Sequence, residues 1–282
     1  MNRSPSKLIV TQLLCVTALA VPAGPLRAQT VARYAPLGPS GIDLRVPVGV
    51  VSPVEQADEL YFEGDAQASF ELLDAHLAVV SDDYEVLWRA ARAAVILGVA
   101  AEGSRPQNRW LDPAMELGHR AVAARPDGVD GLYWRGAAHG RRAMNASPGY
   151  ASELAQQVWD DAHAILEQDA GHGGAHNLLG KLNYEVMSLS RFERAMGRIF
   201  MGNEALSRAN WELAEIHLEE AVASWPDLVL FQFDLGQLYR KRGRKEDALA
   251  AYRRVLELPA VHPPDLQLQE QAREHVEELG SR

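Results

Sequence analysis

One spacing recurs five times along this chain and limits its fold more than any other feature. An alanine is followed four residues on by a bulky or apolar slot, three further by a small apolar residue, and five further by a break. The copies are Ala68/Leu72/Ala75/Val80, Ala114/Gly118/Ala121/Pro126, Ala155/Trp159/Ala162/Glu167, Ala214/Leu218/Ala221/Pro226 and Ala248/Tyr252/Val255/Ala260. Steps of four and three keep residues on one face of an α-helix. Alanine lets a neighbouring helix come close, and the larger slot fills the space between the two. Proline at the break stops the helix, and Asp127 or Asp227 opens the next turn.

Upstream of most copies lies a second helical run. Three of these runs carry a mid-segment glycine: Gly136 in LYWRGAAH, Gly180 in HNLLGKLNY and Gly236 in FDLGQLY; the first unit has Ala91 in LWRAARA. Glycine inside a helix costs about 1 kcal/mol relative to alanine, so its recurrence points to close helix–helix contact. The unit is therefore a helical hairpin. The expected fold is all-α: a right-handed solenoid of hairpins over 54–262, closed by a polar, Glu-rich capping helix over 263–282.

The 282 residues are 47% hydrophobic and 23% charged, enough to build a core and unlike a disordered or collagen-like chain. A formal charge of -10 argues against nucleic acid as a partner. The single cysteine, Cys15, allows neither an intramolecular disulfide nor a cysteine-rich zinc site.

Cys15 sits in an N-terminal segment that reads as an export address. Arg3 and Lys7 precede the apolar run Leu8–Val21, and Pro22, Gly24 and Pro25 follow it. Fourteen residues span about 21 Å as a helix, short of the roughly 30 Å bilayer core. Residues 1–28 are thus expected to be a secretory signal peptide, cleaved after Ala20 or after Ala28, with an uncleaved anchor as the alternative. Leu13-Leu14 before Cys15 speak against a lipoprotein signal. Residues 29–53, with Pro36, Pro39, Pro47 and Pro53, form a linker or extended arm. The expected location is periplasmic or secreted.

The last unit, Val229 to Pro259, resembles a tetratricopeptide repeat in Leu235-Gly236, Tyr239, Ala248, Tyr252 and the closing Pro259. Successive first-slot alanines lie 46, 41, 59 and 34 residues apart. Only the last interval has the regular 34-residue period, so the other units carry insertions. The segments LWRAARAAVILG (87–98) and HNLLGKLNYEVMSLSRFERAMGRIFMG (176–202) resemble the helical domain of the regulator of microtubule dynamics family, over roughly 55–262. That resemblance implies a helical interaction domain, linked in eukaryotic members to microtubules or membranes. This chain is expected to carry an export signal in place of the family's usual targeting region. Its Ala/Arg/Gly-rich usage resembles a high-GC bacterium, so microtubules are not expected as a partner.

The remaining motifs point to little chemistry. His172 and His176 have a His-x3-His spacing, but the two glycines between them read as a loose turn, with Asn177 opening the next helix. Arg240 to Lys245 holds five basic residues in six. At a helix C-terminus and turn these read as macrodipole partners before as an anion-binding patch. No Gly-x-Ser-x-Gly, Walker-type loop or Gly-x-Gly-x-x-Gly occurs. No catalysis, cofactor or metal is expected.

What remains is a surface. Residues three before, one after and four after each central small residue are expected to face the concave side of the solenoid. Besides Val95, Ala137 and Gly140, they give a partner-binding groove of Trp88, Arg92, Tyr133, Asn177, Lys181, Tyr184, Phe233, Gln237 and Arg240, suited to an extended peptide or an acidic chain end. The expected function is a protein or peptide scaffold in the cell envelope. The alternative is a lipid or other hydrophobic ligand held within the array, motivated by the Met-, Leu- and Phe-rich insertion Val186 to Met201.

Overall fold

A computed structural model describes residues 52–190, 194 and 203–281. The expected signal peptide, all but the end of the linker and most of the Val186–Met201 insertion lie outside them. The described residues belong to one compact unit, Pro47–Arg282. They contain helices and no strand.

Five helical hairpins follow one another: α1 (Pro53–Phe62) with α2 (Ala66–Leu77), α3 (Tyr84–Ala100) with α4 (Ser104–Ala124), and α5 (Val129–Ala143) with α6 (Pro148–Gln168). In the fourth, α7 (Gly173–Ser188) packs on α9 (Trp211–Ser224) after the short α8 (Glu204–Arg208). The fifth pairs α10 (Val229–Lys241) with α11 (Lys245–Glu257), and α12 (Asp265–Gly280) covers both. First helices also pack on first helices, α1 on α3, α3 on α5, α5 on α7, α7 on α10 and α10 on α12. They make the inner layer of a right-handed, all-α solenoid with its capping helix, as the repeat predicts.

Local chemistry sets the boundaries. Ser52 and Glu55 form a capping box at the start of α1, with Pro53 in the first helical position. Asp83 accepts hydrogen bonds from the backbone N–H groups of Glu85 and Val86 at the start of α3, and Asn210 accepts from Leu213 at the start of α9. Gly243, at φ 74°, makes the turn between α10 and α11.

The alanine slots are the seams between helices. Ala114, Ala121, Ala162, Ala214, Ala221 and Ala248 are wholly buried. A Cβ on Gly180 would lie 2.6 Å from Leu218 Cγ, and one on Gly236 would lie 2.7 Å from Tyr252 Cε1. Gly118, in the slot that elsewhere holds a bulky residue, lies against the α5 backbone, where a Cβ would come within 2.8 Å of Arg135 Cα.

Two expectations need correction. In the first copy the pattern is one residue out of register: Ala75 is exposed, Ala68 is half-buried, and Ala66, Ser69, Leu73 and Leu77 face the core. The cause lies at the start of α2, where Gly64 (φ 94°) turns the chain and the Asp65 side chain accepts the Ala68 N–H, fixing the helix phase. Ser69 then fits the small-residue slot and donates its hydroxyl to the Ala57 carbonyl at 2.8 Å. Gly173 and Gly174 do not form a loose turn; they are the first two residues of α7. Side chains there would meet the Trp225 and Tyr133 rings, at 2.9 and 2.8 Å.

Gly118→Ala should therefore lower stability by about 1–3 kcal/mol through overpacking, and Tm by about 2–4 °C per kcal/mol. Gly149→Ala, where a Cβ meets nothing within 4 Å, should be neutral or slightly stabilising. Thermal melts of the two variants side by side check this; equal Tm values would contradict the seam argument.

Candidate partner-binding face

The inner helices bring the nine candidate residues onto one layer but expose them very unequally. Trp88, Arg92, Asn177 and Phe233 are buried, Tyr133, Lys181, Tyr184 and Gln237 are half-buried, and Arg240 is exposed. The difference arises from what each side chain finds within the protein.

At the N-terminal end the candidate side chains are buried. The Arg92 guanidinium donates to Asp58 Oδ1 at 2.5 Å and lies 3.8 Å above the Tyr61 ring. Arg89 donates to Asp58 Oδ2 at 2.8 Å and to Glu85 Oε2 at 2.9 Å, and its guanidinium lies 4.0 Å from the Trp88 ring centre. Trp88 Nε1 donates to the same Glu85 oxygen at 2.9 Å. Burial pushes the Glu85 carboxyl up, but the hydrogen bonds from Trp88 and Arg89 outweigh it, and its pKa is lowered. His262, from the loop before α12, also packs against Tyr61, with ring centres 6.2 Å apart.

The C-terminal end is polar and more open. Lys181 Nζ donates to Asp234 Oδ1 at 2.9 Å and to Gln237 Oε1 at 2.7 Å, and Glu185 lies 3.5 Å away. Asn177 Nδ2 donates to the other Asp234 oxygen at 3.1 Å. Burial alone would lower the Lys181 pKa, but the Asp234 and Glu185 carboxylates more than offset it, and the net shift is upward. The ammonium lies 4.9 Å from the Tyr184 ring centre. Arg240 reaches Glu278 on α12 at 2.7 Å. Tyr133 packs between Trp134 and His172, and burial raises its hydroxyl to about 12.

Two arginines of the basic run beyond Arg240 are engaged with acidic and aromatic neighbours. Arg244 binds Glu215 and Asp247, and Arg242 lies 5.5 Å from the Trp211 ring centre. The His-x3-His pair does not converge. His172 caps α7, its Nδ1 accepting from Ala175 N–H at 3.0 Å, while His176 Nδ1 faces His217 Nδ1 on α9 at 3.0 Å. His176 Nε2 must donate to the Ala170 carbonyl 3.0 Å away, so its Nδ1 is the acceptor and His217 Nδ1 the donor.

Sequence reasoning missed Asp58, Tyr61, Asp234 and Glu278. The concave-face spacing, applied to α1 around Ala57, selects Asp58 and Tyr61 directly. Asp234 lies two residues before Gly236, outside that spacing, and meets Lys181 only because α7 and α10 are adjacent in the layer.

Residues 53–280, the whole span from α1 to α12, match the family model described as Regulator of microtubule dynamics protein 1-3. Among solved structures the chain is similar to TTC0263, a thermophilic TPR protein in Thermus thermophilus. Identity is 22%, over 79% of this chain and 97% of that one, with a TM-score of 0.56. It is also similar to MamA from Desulfovibrio magneticus RS-1, at 14% identity over 78% of this chain and 97% of that one, with a TM-score of 0.41. The first likeness is one of fold. No curated protein matches the chain.

Lys181→Met would leave the Asp234 carboxylate, 4% exposed, without its cation. It should cost about 2–3 kcal/mol, below the full buried-pair value because Lys181 retains some exposure. Adding Asp234→Leu should recover most of that loss in urea melts, whereas a silent single variant would show the pair to be unimportant. Burial, with His176 and His163 nearby, holds His217 down at about 4. The unfolded chain, with an ordinary value near 6.5, therefore takes up this proton first. The contribution is complete above about pH 6.5 and is lost as pH falls towards 4. Tm should be lower at pH 5 than at pH 7.5, and His217→Gln should flatten that slope.

Proposed function

The chain belongs to the regulator of microtubule dynamics protein 1-3 family, and from that premise we propose that it is an exported, non-catalytic scaffold. It binds a protein or peptide through the C-terminal half of its inner layer. The observation that carries the reading is the contrast between the two halves. Asp58, Arg92, Tyr61 and His262 close the first half around one another. Lys181, Tyr184, Gln237 and Arg240 form a half-open polar and aromatic ledge. Arg240 and Glu278 remain 38% and 39% exposed in their mutual pair. An acidic chain end could displace Glu278 from Arg240 at little cost, because an exposed pair contributes only about 0–1 kcal/mol. Tyr184 offers a ring for stacking.

The basic start and short apolar run of the N-terminus support a location outside the cytoplasm, in the periplasm or secreted, where microtubules are not partners. The insertion that motivated a hydrophobic ligand lies mostly outside the described residues, and we develop no second reading from it.

Two measurements test the proposal. Cell fractionation with mass spectrometry of the N-terminus should find a chain beginning after Ala28 or after Ala20 in the exported fraction; an intact chain in the cytoplasm would refute export. A photo-crosslinking side chain at Gln237 should capture a partner that one at the exposed Val79 does not, and Arg240→Glu should reduce the yield at least about tenfold. Equal capture at both positions would refute the ledge.

A further inference from the structure

The seam between α4 and α5 holds a second arrangement that the scaffold role does not use. His119 Nε2 and His139 Nε2 face each other at 3.3 Å. Two imidazoles bound to one tetrahedral zinc ion, at about 2.0–2.1 Å each, have their nitrogens about 3.3–3.4 Å apart. The rings of this pair are set differently from those of the other close histidine pair, His176 and His217. His176 and His217 have nitrogens 3.0 Å apart and ring centres 5.2 Å apart. His119 and His139 have nitrogens further apart, yet ring centres only 5.1 Å apart. The two rings are therefore bent away from the in-line arrangement of a linear N–H···N hydrogen bond.

The surroundings supply a second observation. His139 is 1% exposed, and its other nitrogen, Nδ1, is buried without a hydrogen-bond partner. That nitrogen lies 3.9 Å from Asp161 Oδ2, on a carboxylate that is itself 1% exposed. Binding a metal through Nε2 fixes the proton on Nδ1 and aims it at Asp161, the carboxylate–histidine–metal order that orients imidazole ligands. A small tilt of the ring closes the gap and satisfies the orphaned atom. Arg135 pairs with Asp161, but its charge still acts on both rings, and an ion bound there has to overcome it. Glu116 stands one turn before His119 on α4, and its charge acts on that ring.

We propose that His119 and His139 form a binding site for a zinc-class divalent cation, with Asp161 orienting His139 and water completing the coordination. Among the described residues no group of three His, Cys, Asp or Glu side chains is placed to hold a metal. The protein thus provides two ligands, and Glu116 becomes a third on a change of rotamer. His119 is the solvent-facing member, so the ion enters from the surface. Because α4 and α5 belong to successive hairpins, the ion joins two repeats.

The test is calorimetric titration of the full, untagged chain with Zn2+, followed by Co2+ as a spectroscopic probe of geometry. One equivalent of Zn2+ should bind and raise Tm, and Co2+ should give the intense visible absorption of a tetrahedral site. His119→Ala, at an exposed position, should weaken binding at least about tenfold while leaving the metal-free Tm nearly unchanged. Glu116→Gln should weaken it less, and His217→Ala should leave it as in the wild type. Failure of the wild type to bind Zn2+ would overturn the proposal. So would unchanged affinity in His119→Ala, or loss of binding in His217→Ala with His119→Ala intact.

Discussion

The closeness of the helix seams governs this structure. At three of the seams a backbone or a side chain sits where a Cβ would otherwise be: Arg135 against Gly118, Leu218 against Gly180, Tyr252 against Gly236. At such distances dispersion contacts are numerous, and packing is intolerant of added volume. With one cysteine, no disulfide can join two parts of this chain. The array depends on these dry seams for its cohesion, and the positions that tolerate no side chain determine how each hairpin sits on the one before.

The inner layer follows a different rule. Charges that the repeat spacing turns inward have to find partners there, because burying an unpaired ion is costly. Asp58 serves both Arg89 and Arg92, and Asp234 serves both Lys181 and Asn177. In the first cluster the guanidinium groups lie against the Trp88 and Tyr61 rings and are buried; in the second the Lys181 ammonium lies near the Tyr184 ring and stays half-buried. The exposure of the cations along the layer thus follows the supply of aromatic cover, not the number of charges.

The fold was legible in the sequence because its signal is local and repeated. Spacings of four and three, mid-helix glycines and terminal prolines all act within one or two turns. The first copy misled by one residue because its phase is set by Gly64 and Asp65, outside the spacing itself. Gly173 and Gly174 misled because a glycine required by the approach of Trp225 and Tyr133 looks, in one dimension, like a glycine required by a turn. The site was legible only in part. Which residues face inward follows from helix geometry, and all nine lie on the inner helices. How deeply each is buried depends on partners 30 to 60 positions away, such as Arg92 with Asp58 or Lys181 with Asp234, and no local pattern encodes those.

The contact of His262 with Tyr61 and Phe62 sets this protein apart from an open array. In a linear stack each module touches only its neighbours, and stability is a sum of nearest-neighbour terms from which an end can fray alone. Here the opening hairpin rests on the loop that leads into the closing helix, some two hundred residues later in the chain. A ribosome making this protein must therefore release nearly all of it before the earliest module acquires its last packing partner. Losing either extremity is then felt at the other, which ties the modules into a single cooperative unit.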